Sequence, residues 1–297
     1  DNLNEAYDLR LKQWRLESLK SHPNFRFHKL DLSDYPALRA LFTGDTGEGS
    51  TRFTSVVNLG ARAGVRYSVE NPWVYYQANI TGTLNLLELC HQFEAKKLVL
   101  ASTSSVYGAD TPRPFSENAP TSRPLSPYAA SKKAAETLVY TYHHLYGLDA
   151  TVLRYFTVYG PGGRPDMSVF MFVRAIAEGK PITIFGDGTQ ERDFTYIDDI
   201  TRGTLAALKP LGYEIINLGS GRPVALMDVI KIIEGHLGRK ARIEYAPMHS
   251  ADLLATWADI HRAKKLLGWQ PQVSLEEGIR QAVQWYEQNR GWAKDIR

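Results

Sequence analysis

The chain has 297 residues, of which 43% are hydrophobic and 23% charged, the proportions of an ordinary globular protein with one large or two fused domains. Its net charge of +3 is small and its Lys and Arg residues are scattered, which argues against a nucleic-acid-binding surface. The single cysteine, Cys90, excludes an internal disulfide, and no apolar run reaches the roughly 20 residues of a membrane-spanning helix. We therefore expect a cytoplasmic protein that binds neither nucleic acid nor membrane.

Short apolar segments alternate with helical patterns through the first half of the chain. In chain order the patterns predict a helix to about residue 20, a strand at 25–30, a helix at 35–42, a strand at 55–59, a helix at 72–93, a strand at 97–102, a helix at 126–146 and a strand at 150–156. Parallel neighbours need crossover connections, so this alternation indicates a parallel sheet covered on both faces. The predicted fold class is α/β, with a doubly wound, Rossmann-like sheet.

The alternation weakens after residue 156. A Gly- and Pro-rich segment is followed by predicted helices at 168–178, 196–208, 225–237 and 275–289 and by predicted strands at 182–185 and 214–218. We interpret residues 1–160 as a dinucleotide-binding domain. Residues 161–297 would form mainly a smaller substrate-binding domain, with about 195–220 returning to the main sheet.

Tyr128 and Lys132 lie four residues apart at the start of the predicted helix 126–146, so their side chains share one face. A nearby ammonium favours the phenolate and lowers the pKa of a tyrosine from about 10 toward neutrality, which makes the tyrosine a possible base. With 16 tyrosines in the chain, this spacing is expected about once by chance. Taken alone, the pair is therefore equally compatible with an ordinary surface helix.

Residues 101–108, Ala-Ser-Thr-Ser-Ser-Val-Tyr-Gly, followed by Tyr128 and Lys132, resemble the extended short-chain dehydrogenase/reductase superfamily and, within it, the nucleotide-sugar epimerases. The similarity is greatest to the UDP-glucuronate 4-epimerases and covers essentially the whole chain. It implies NAD-dependent conversion of UDP-glucuronate to UDP-galacturonate through a transient 4-keto sugar. Further matching segments are 1–4, 64–68, 79–83, 154–161, 163–167 and 192–199.

The resemblance implies a role for each matched catalytic position. Tyr128 would take the proton of the sugar 4-hydroxyl, and Lys132 would hold the nicotinamide ribose while lowering the pKa of the phenol. Side chains alternate along a strand end, so Thr103 and Ser105 point to the same side. We expect one of these two hydroxyls to steady the 4-oxygen, and the sequence does not choose between them.

The same segment bears on related activities. By resemblance, sugar dehydratases carry an Asp-Glu pair where this chain has Ser104 and Ser105, and uronate decarboxylases carry a Glu at the position of Ser105. Without an acid at either position, simple epimerisation is favoured. A neutral UDP-sugar 4-epimerase, a UDP-glucuronate decarboxylase and a non-enzymatic nucleotide-sugar-binding remnant remain as alternatives.

A uronate oxidised at C4 is a β-keto acid, which loses carbon dioxide unless its carboxylate is held out of alignment with the carbonyl. A guanidinium can grip a carboxylate through two parallel hydrogen bonds, and Arg164 is the first candidate for this clamp. Thr157 and Arg66 lie nearby in the family pattern. The resemblance assigns contacts with the UDP part of the substrate to Arg192, Phe185 and Asp252.

NAD is the one cofactor that the resemblance implies. Asp1 would accept hydrogen bonds from the adenosine ribose, which favours NAD over NADP because a phosphate there would be repelled. No metal is expected, since His143 and His144 are adjacent on a helix and do not share a face. The other implied cofactor contacts, besides Tyr128 and Lys132, are Asp31, Leu32, Leu59, Gly60, Ala61, Asn79 and Tyr155.

The family fold opens with a strand and a Gly-x-x-Gly-x-x-Gly turn that holds the dinucleotide pyrophosphate. This sequence begins at Asp1, where the second strand of that pattern ends, so the initial βαβ unit is missing from it. We expect the intact protein to carry roughly 20 to 25 further residues ahead of Asp1, with a truncated chain as the alternative. The 297 residues alone would then bind NAD poorly, and tightly bound NAD detected by mass spectrometry would contradict this expectation.

The resemblance also implies a homodimer. The helix that carries Tyr128 and the predicted helix 72–93 would pack against the same pair of a second copy, forming a four-helix interface.

Overall fold

The computed structural model describes residues 1–44, 53–248 and 253–296. A π-helix spans Tyr76–Thr81 and a 3₁₀ turn spans Ser104–Val106. The α-helices are α1 Leu9–Lys20, α2 Tyr35–Thr43, α3 Val65–Glu70, α4 Trp73–Tyr75, α5 Gly82–Gln92, α6 Pro127–Tyr146, α7 Ser168–Ala177, α8 Ile197–Ala206, α9 Leu226–Leu237, α10 His261–Leu267 and α11 Leu275–Ala293. The strands are β1 Ser55–Asn58, β2 Lys97–Thr103, β3 Asp149–Tyr155, β4 Thr157–Tyr159, β5 Pro181–Phe185, β6 Glu191–Tyr196, β7 Tyr213–Leu218, β8 Pro223–Ala225 and β9 Arg242–Ala246.

The main sheet has the strand order β1-β2-β3-β7, and all of its pairs are parallel. Successive side chains of β2 alternate between its faces: Leu98 and Leu100 pack under α5 and α6, whereas Val99 packs with Leu153 under α8 and α10. Helices therefore cover both faces, and the predicted doubly wound α/β fold is confirmed. Strand β7 pairs with β3, so the chain returns to the main sheet after α8.

The rest of the second half builds a separate apolar cluster on smaller sheets. Strands β4 and β6 are parallel, β6 and β8 antiparallel, and β5 and β9 parallel. Helices α7, α9 and α11 bury Ile176, Val229 and Ile279 in this cluster. Leu11 of α1 is fully buried in the same cluster, so the first helix packs against the second half of the chain.

Of three sequence-based predictions of elements, two were wrong in detail, and the prediction of a helix that ends near residue 20 was confirmed. Residues 25–30 form no strand, because no described strand lies beside them to complete a hydrogen-bonded ladder. The helix at the start begins at Leu9, where Asp8 caps it by accepting a hydrogen bond from the Arg10 amide. The predicted helix 72–93 is interrupted by the π-helix.

The patterns also missed β6, β9 and α10, which are short elements. In strand β6, which contains Arg192 and Asp193, the charges hide the strand pattern from sequence. Within the described ranges, no helix combines the length and the apolarity that a bilayer span requires.

Candidate active site

Helix α6 presents Tyr128 and Lys132 at the carboxyl edge of the main sheet. Its start is set by Ser126, whose side chain accepts a hydrogen bond from the Ala129 amide, and by Pro127 in the first turn. Gly147 ends the helix in the left-handed conformation, at φ 67°. The Tyr128 ring lies edge-to-face on Tyr75, with 6.0 Å between ring centroids, so the phenol is held in place by packing.

The electrostatic surroundings of Tyr128 differ from the sequence-based expectation. Burial raises the pKa of the phenol, while a hydrogen bond with Thr103 and the positive charge of Arg164 act in the opposite direction. We expected Lys132 to be the cation that lowers this pKa. The loop after β4 supplies a further cation, Arg164, which the spacing of Tyr128 and Lys132 does not predict.

Lys132 is 3% exposed, and its burial lowers the pKa of the ammonium to about 8, with the Glu136 carboxylate opposing the shift. Glu136 lies one turn further along α6, four residues after Lys132, and therefore on the same face. The buried lysine thus sits between the phenol that it neighbours in sequence and a carboxylate that stabilises its charge.

The two candidate hydroxyls are brought together as predicted, although by a turn and not by a strand. Thr103 ends β2 and caps the 3₁₀ turn by accepting a hydrogen bond from the Ser105 amide at 3.1 Å. Its hydroxyl donates to the Ser105 hydroxyl at 3.2 Å. Since Thr103 also reaches the phenol, a hydroxyl chain runs from Tyr128 through Thr103 to Ser105.

A buried ion pair lies beneath these groups, and the sequence analysis missed it. Arg154 of β3 donates from Nε to Glu136 Oε1 at 2.9 Å and from Nη2 to Oε2 at 2.8 Å, and both side chains are 1% exposed. Ser102 donates to Glu136 at 2.6 Å, and Arg154 also donates to the Tyr107 hydroxyl at 3.0 Å. The spacing of four residues between Lys132 and Glu136 was the available sequence signal.

Arg164, the proposed carboxylate clamp, is oriented by a neighbour in its own loop. Asp166 accepts from Arg164 Nε at 3.0 Å and also from Nη2. This contact occupies the Nε–Nη2 edge of the guanidinium, so the Nη1–Nη2 edge is the one that can face a ligand. Arg164 and Thr157 line one small cavity, and the charge of Arg164 acts on Tyr128.

Two of the predicted UDP contacts, Phe185 and Arg192, lie within the described residues. The guanidinium of Arg66, which the resemblance places near the clamp, lies over the Phe185 ring, 3.7 Å from its centroid. Arg192 donates from Nη1 to the backbone carbonyls of Glu191, at 2.9 Å, and of Leu254, at 3.3 Å. The remaining prediction, Asp252, falls outside the described residues.

The residues predicted to hold the adenosine half of NAD form one group at the edge of the sheet. Asp31 accepts from the Asn2 amide at 2.5 Å, which joins the first residues of the chain to this group. Leu32 lies so close to Gly60 that a Cβ on that glycine would be 2.4 Å from Leu32 Cδ1. Leu59 is 61% exposed beside this contact. An exposed apolar side chain beside carboxylate acceptors fits an adenine ring and its ribose hydroxyls. Asp1 and Ala61 are also exposed.

Two residues that were predicted to contact the cofactor, Asn79 and Tyr155, use their side chains in hydrogen bonds within the protein. Asn79 of the π-helix accepts from the Arg62 amide at 2.7 Å and donates to the Ser131 hydroxyl of α6 at 2.9 Å, so it ties the loop after β1 to the catalytic helix. The Tyr155 hydroxyl shares a hydrogen bond of 2.7 Å with Thr204, and its ring packs in the core under α8. The structure therefore does not bring the Tyr155 side chain to the other cofactor residues.

Among the described residues, no group of three or more His, Cys, Asp or Glu could hold a metal ion.

Replacing Arg164 with methionine is expected to move the rising limb of kcat/KM against pH to higher pH. The cation lowers the pKa of Tyr128 against the effect of burial, so its loss raises that pKa, and the phenolate is then available only in more alkaline solution. The limb would be measured by product formation across the neutral and alkaline range. Arg280→Met, on the solvent-exposed face of α11, serves as the matched control. An unmoved limb in Arg164→Met would contradict the assignment.

Comparison with known proteins agrees with this geometry. The model of the NAD dependent epimerase/dehydratase family matches residues 4–219. The chain is 58% identical over 298 residues to a UDP-glucuronate 4-epimerase of Thermodesulfobacterium geofontis, covering 100% of this chain and 90% of that protein. The crystal structure of the UDP-glucuronic acid 4-epimerase of Bacillus cereus, in complex with UDP-glucuronic acid and NAD, is similar with a TM-score of 0.88 and 37% identity, covering 97% of this chain and 90% of that one.

A UDP-glucose 4-epimerase of Thermotoga maritima, solved with UDP-glucose, is also similar, with a TM-score of 0.85, 29% identity and coverage of 94% of this chain and 96% of that one. The predicted resemblance to NAD-dependent nucleotide-sugar epimerases is confirmed. On these matches, together with the Tyr128–Lys132 pair at the carboxyl edge of a doubly wound sheet, the chain belongs to the NAD dependent epimerase/dehydratase family.

Proposed function

We propose that this protein is an NAD-dependent UDP-glucuronate 4-epimerase, which interconverts UDP-glucuronate and UDP-galacturonate through a 4-keto sugar. The observation that carries the proposal is the joint placement of Tyr128 and Arg164. A hydroxyl-linked phenol is the group that must exchange a proton with a sugar oxygen, and a guanidinium within electrostatic reach is the group that a uronate requires.

The side chains of this site have separate tasks. Tyr128 takes the proton of the 4-hydroxyl and later returns it to the 4-oxygen, while the hydroxyl chain through Thr103 and Ser105 steadies that oxygen. NAD, when bound, would supply a reversible acceptor and donor of the hydride at C4 of the sugar. Lys132 would hold the nicotinamide ribose, and Glu136 keeps its ammonium charged in the buried position.

The carboxylate of the sugar is proposed to lie against Arg164 and Thr157, which line the same cavity. Asp166 fixes one edge of the guanidinium and directs the other edge toward the site. A carboxylate gripped in this way cannot rotate into alignment with the 4-keto carbonyl, so its carbon–carbon bond is protected. We assign binding of the UDP part to Arg66, Phe185 and Arg192. The aromatic ring of Phe185 and the cation of Arg192 both come from the second half of the chain, from about residue 161, and Arg66 lies over that ring.

A homodimer is proposed on the basis of exposed apolar side chains along α4, the π-helix and α5. Trp73 is 81% exposed, and Tyr76 and Leu84 are exposed as well. On α6, Tyr140 and Leu145 are also exposed. Two such helices from each copy would make a four-helix interface. Light scattering is expected to give twice the chain mass of 33.4 kDa, and a monomer would contradict the proposal.

We also propose a cytoplasmic location. The single cysteine, Cys90, is buried in the apolar cluster under α5, and burial raises the pKa of its thiol to about 12. An unreactive lone thiol suits a reducing compartment.

The deciding experiment incubates the full-length protein with UDP-glucuronate and NAD and separates the sugar nucleotides. Appearance of UDP-galacturonate without net loss of NAD or release of carbon dioxide is expected. Release of carbon dioxide with a UDP-pentose product would identify a decarboxylase, and turnover of UDP-glucose alone would identify a neutral-sugar epimerase. Binding of UDP with no turnover of any of these would leave only nucleotide-sugar binding.

A further inference from the structure

Helix α1 precedes the main sheet in sequence but is anchored on the opposite half of the chain. Leu11 is fully buried in the apolar cluster of the second half. Trp14, one turn later on the same face, packs edge-to-face on Trp285 of α11, with 5.2 Å between ring centroids. These contacts fix the position of α1 beside the loop that carries Arg164.

Two side chains of α1 contact that loop at one residue. Gly162 has φ 59°, and a Cβ on it would lie 2.7 Å from Trp14 Cζ3, so the backbone of the loop rests directly on the indole. Arg15 donates from Nη2 to the Gly162 carbonyl at 2.5 Å. The loop is therefore held from one side by an aromatic surface and by a charge-assisted hydrogen bond.

The other end of the Arg15 guanidinium is held as well. Nη1 donates to the Tyr7 hydroxyl at 2.7 Å, and the guanidinium carbon lies 5.5 Å from the Tyr7 ring centroid. Arg15 thus spans the distance between the segment before α1 and a residue two positions before Arg164.

We propose that Arg15 is a positioning residue for uronate recognition: by bridging Tyr7 to the Gly162 carbonyl on the surface of Trp14, it sets the loop that aims Arg164 at the sugar carboxylate. This inference rests on the proposed function, since it assigns a task to the clamp of that same site. Arg15 itself does not touch the reacting atoms.

The proposal has a chemical consequence. If the clamp loosens, the carboxylate of the 4-keto sugar can align with the carbonyl. The carbon–carbon bond to the carboxylate then breaks, its electron pair passes into the carbonyl to form an enolate, carbon dioxide leaves, and a proton from water adds to C5. A displaced Arg164 should therefore increase the share of turnovers that release carbon dioxide.

The test compares Arg15→Met with Arg10→Met, an arginine of the same helix whose guanidinium donates to the Asp8 carboxylate two residues earlier. For Arg15→Met, kcat/KM toward UDP-glucuronate is expected to fall roughly tenfold to a hundredfold, as misplacement of a positioning group does. The dissociation constant of UDP, which lacks the carboxylate, should be unchanged in calorimetry, and labelled carbon dioxide should rise. Arg10→Met should match the wild type in all three measurements.

A second comparison distinguishes loss of positioning from a general loss of stability. In an Arg164→Met protein, adding Arg15→Met should cause no further loss in kcat/KM, because Arg15 acts only through Arg164. A further loss of the full size, or an equal weakening of UDP and UDP-glucuronate binding by Arg15→Met alone, would overturn the proposal. If Arg15→Met does not fold, Arg15→Lys retains the charge but cannot span both partners, and it should show the same selective loss.

Failure of the proposed function would be recognised separately. A wild-type protein that does not form UDP-galacturonate contradicts the epimerase assignment, whereas the ratio of the UDP-glucuronate and UDP dissociation constants still reports on the clamp. If the wild type is active and Arg15→Met has the wild-type ratio of these two dissociation constants, only the role of Arg15 is contradicted.

Discussion

Replacing Tyr128 with phenylalanine is expected to lower kcat by about 100- to 10,000-fold, the range that a positioned proton-transfer group contributes. The substitution removes one oxygen and keeps the ring that packs against Tyr75 at 6.0 Å, so the helix start and the substrate pocket should remain. The rate of UDP-galacturonate formation, measured in stopped assays or at steady state, gives the loss in kcat. Calorimetry should show UDP-glucuronate binding close to the wild-type value.

The matched control is Tyr245→Phe, which removes the same atom at a position on β9 that is 61% exposed. It should leave kcat within about twofold, as surface substitutions usually do. If Tyr128→Phe kept more than a tenth of the wild-type kcat, the proton would have to pass through another group. Thr103, whose hydroxyl reaches the phenol, would then be the first residue to test.

Replacing Arg154 with methionine is expected to lower the free energy of unfolding by about 3 kcal/mol, because it leaves the buried Glu136 carboxylate without its main partner. This figure is at the low end for a broken buried pair. Lys133, a third exposed, retains a contact of 3.2 Å with Glu136 Oε2. Urea denaturation at neutral pH measures the change. An unchanged slope of the unfolding free energy against urea concentration would show that both proteins expose the same surface when they unfold.

The pH dependence of this loss has a definite sign. Burial acts to raise the pKa of Glu136, but the hydrogen bonds from Arg154 and Ser102 and the arginine charge leave it below its usual range. In the wild type this carboxylate therefore stabilises the fold above the pKa of an unfolded Glu, about 4.3, and the contribution is lost as pH falls through the folded value. In Arg154→Met the carboxyl can be protonated more easily, so the difference between the two proteins should shrink on acidification.

A double variant supplies the control. In Arg154→Met with Glu136→Leu, the buried carboxylate is removed together with its arginine, and most of the lost stability should return. A loss well below 1 kcal/mol in the single variant, or no recovery in the double variant, would show that the pair does not organise the sheet beneath α6. Activity need not return in the double variant, because Lys132 would lack the carboxylate that opposes its lowered pKa.

Local pattern was sufficient for much of the fold. The predicted helix 126–146 agrees with α6, whose limits are set by Ser126, Pro127 and Gly147 through contacts with residues a few positions away. The parallel sheet followed from the alternation of short apolar strands and helices. The strand predicted at 25–30 was not found, because a strand needs a neighbour that its own sequence cannot supply.

Spacing along the chain was enough to predict the shared face of Tyr128 and Lys132, the proximity of Thr103 and Ser105, and the family. The charged groups around these residues became visible in the folded chain. Arg164 is a further cation that acts on Tyr128, Glu136 is paired with Arg154, and Arg15 reaches the clamp loop from 147 residues away in sequence. The physical reason is that electrostatic interactions and hydrogen bonds depend on distance in space, which sequence spacing specifies only within a single element.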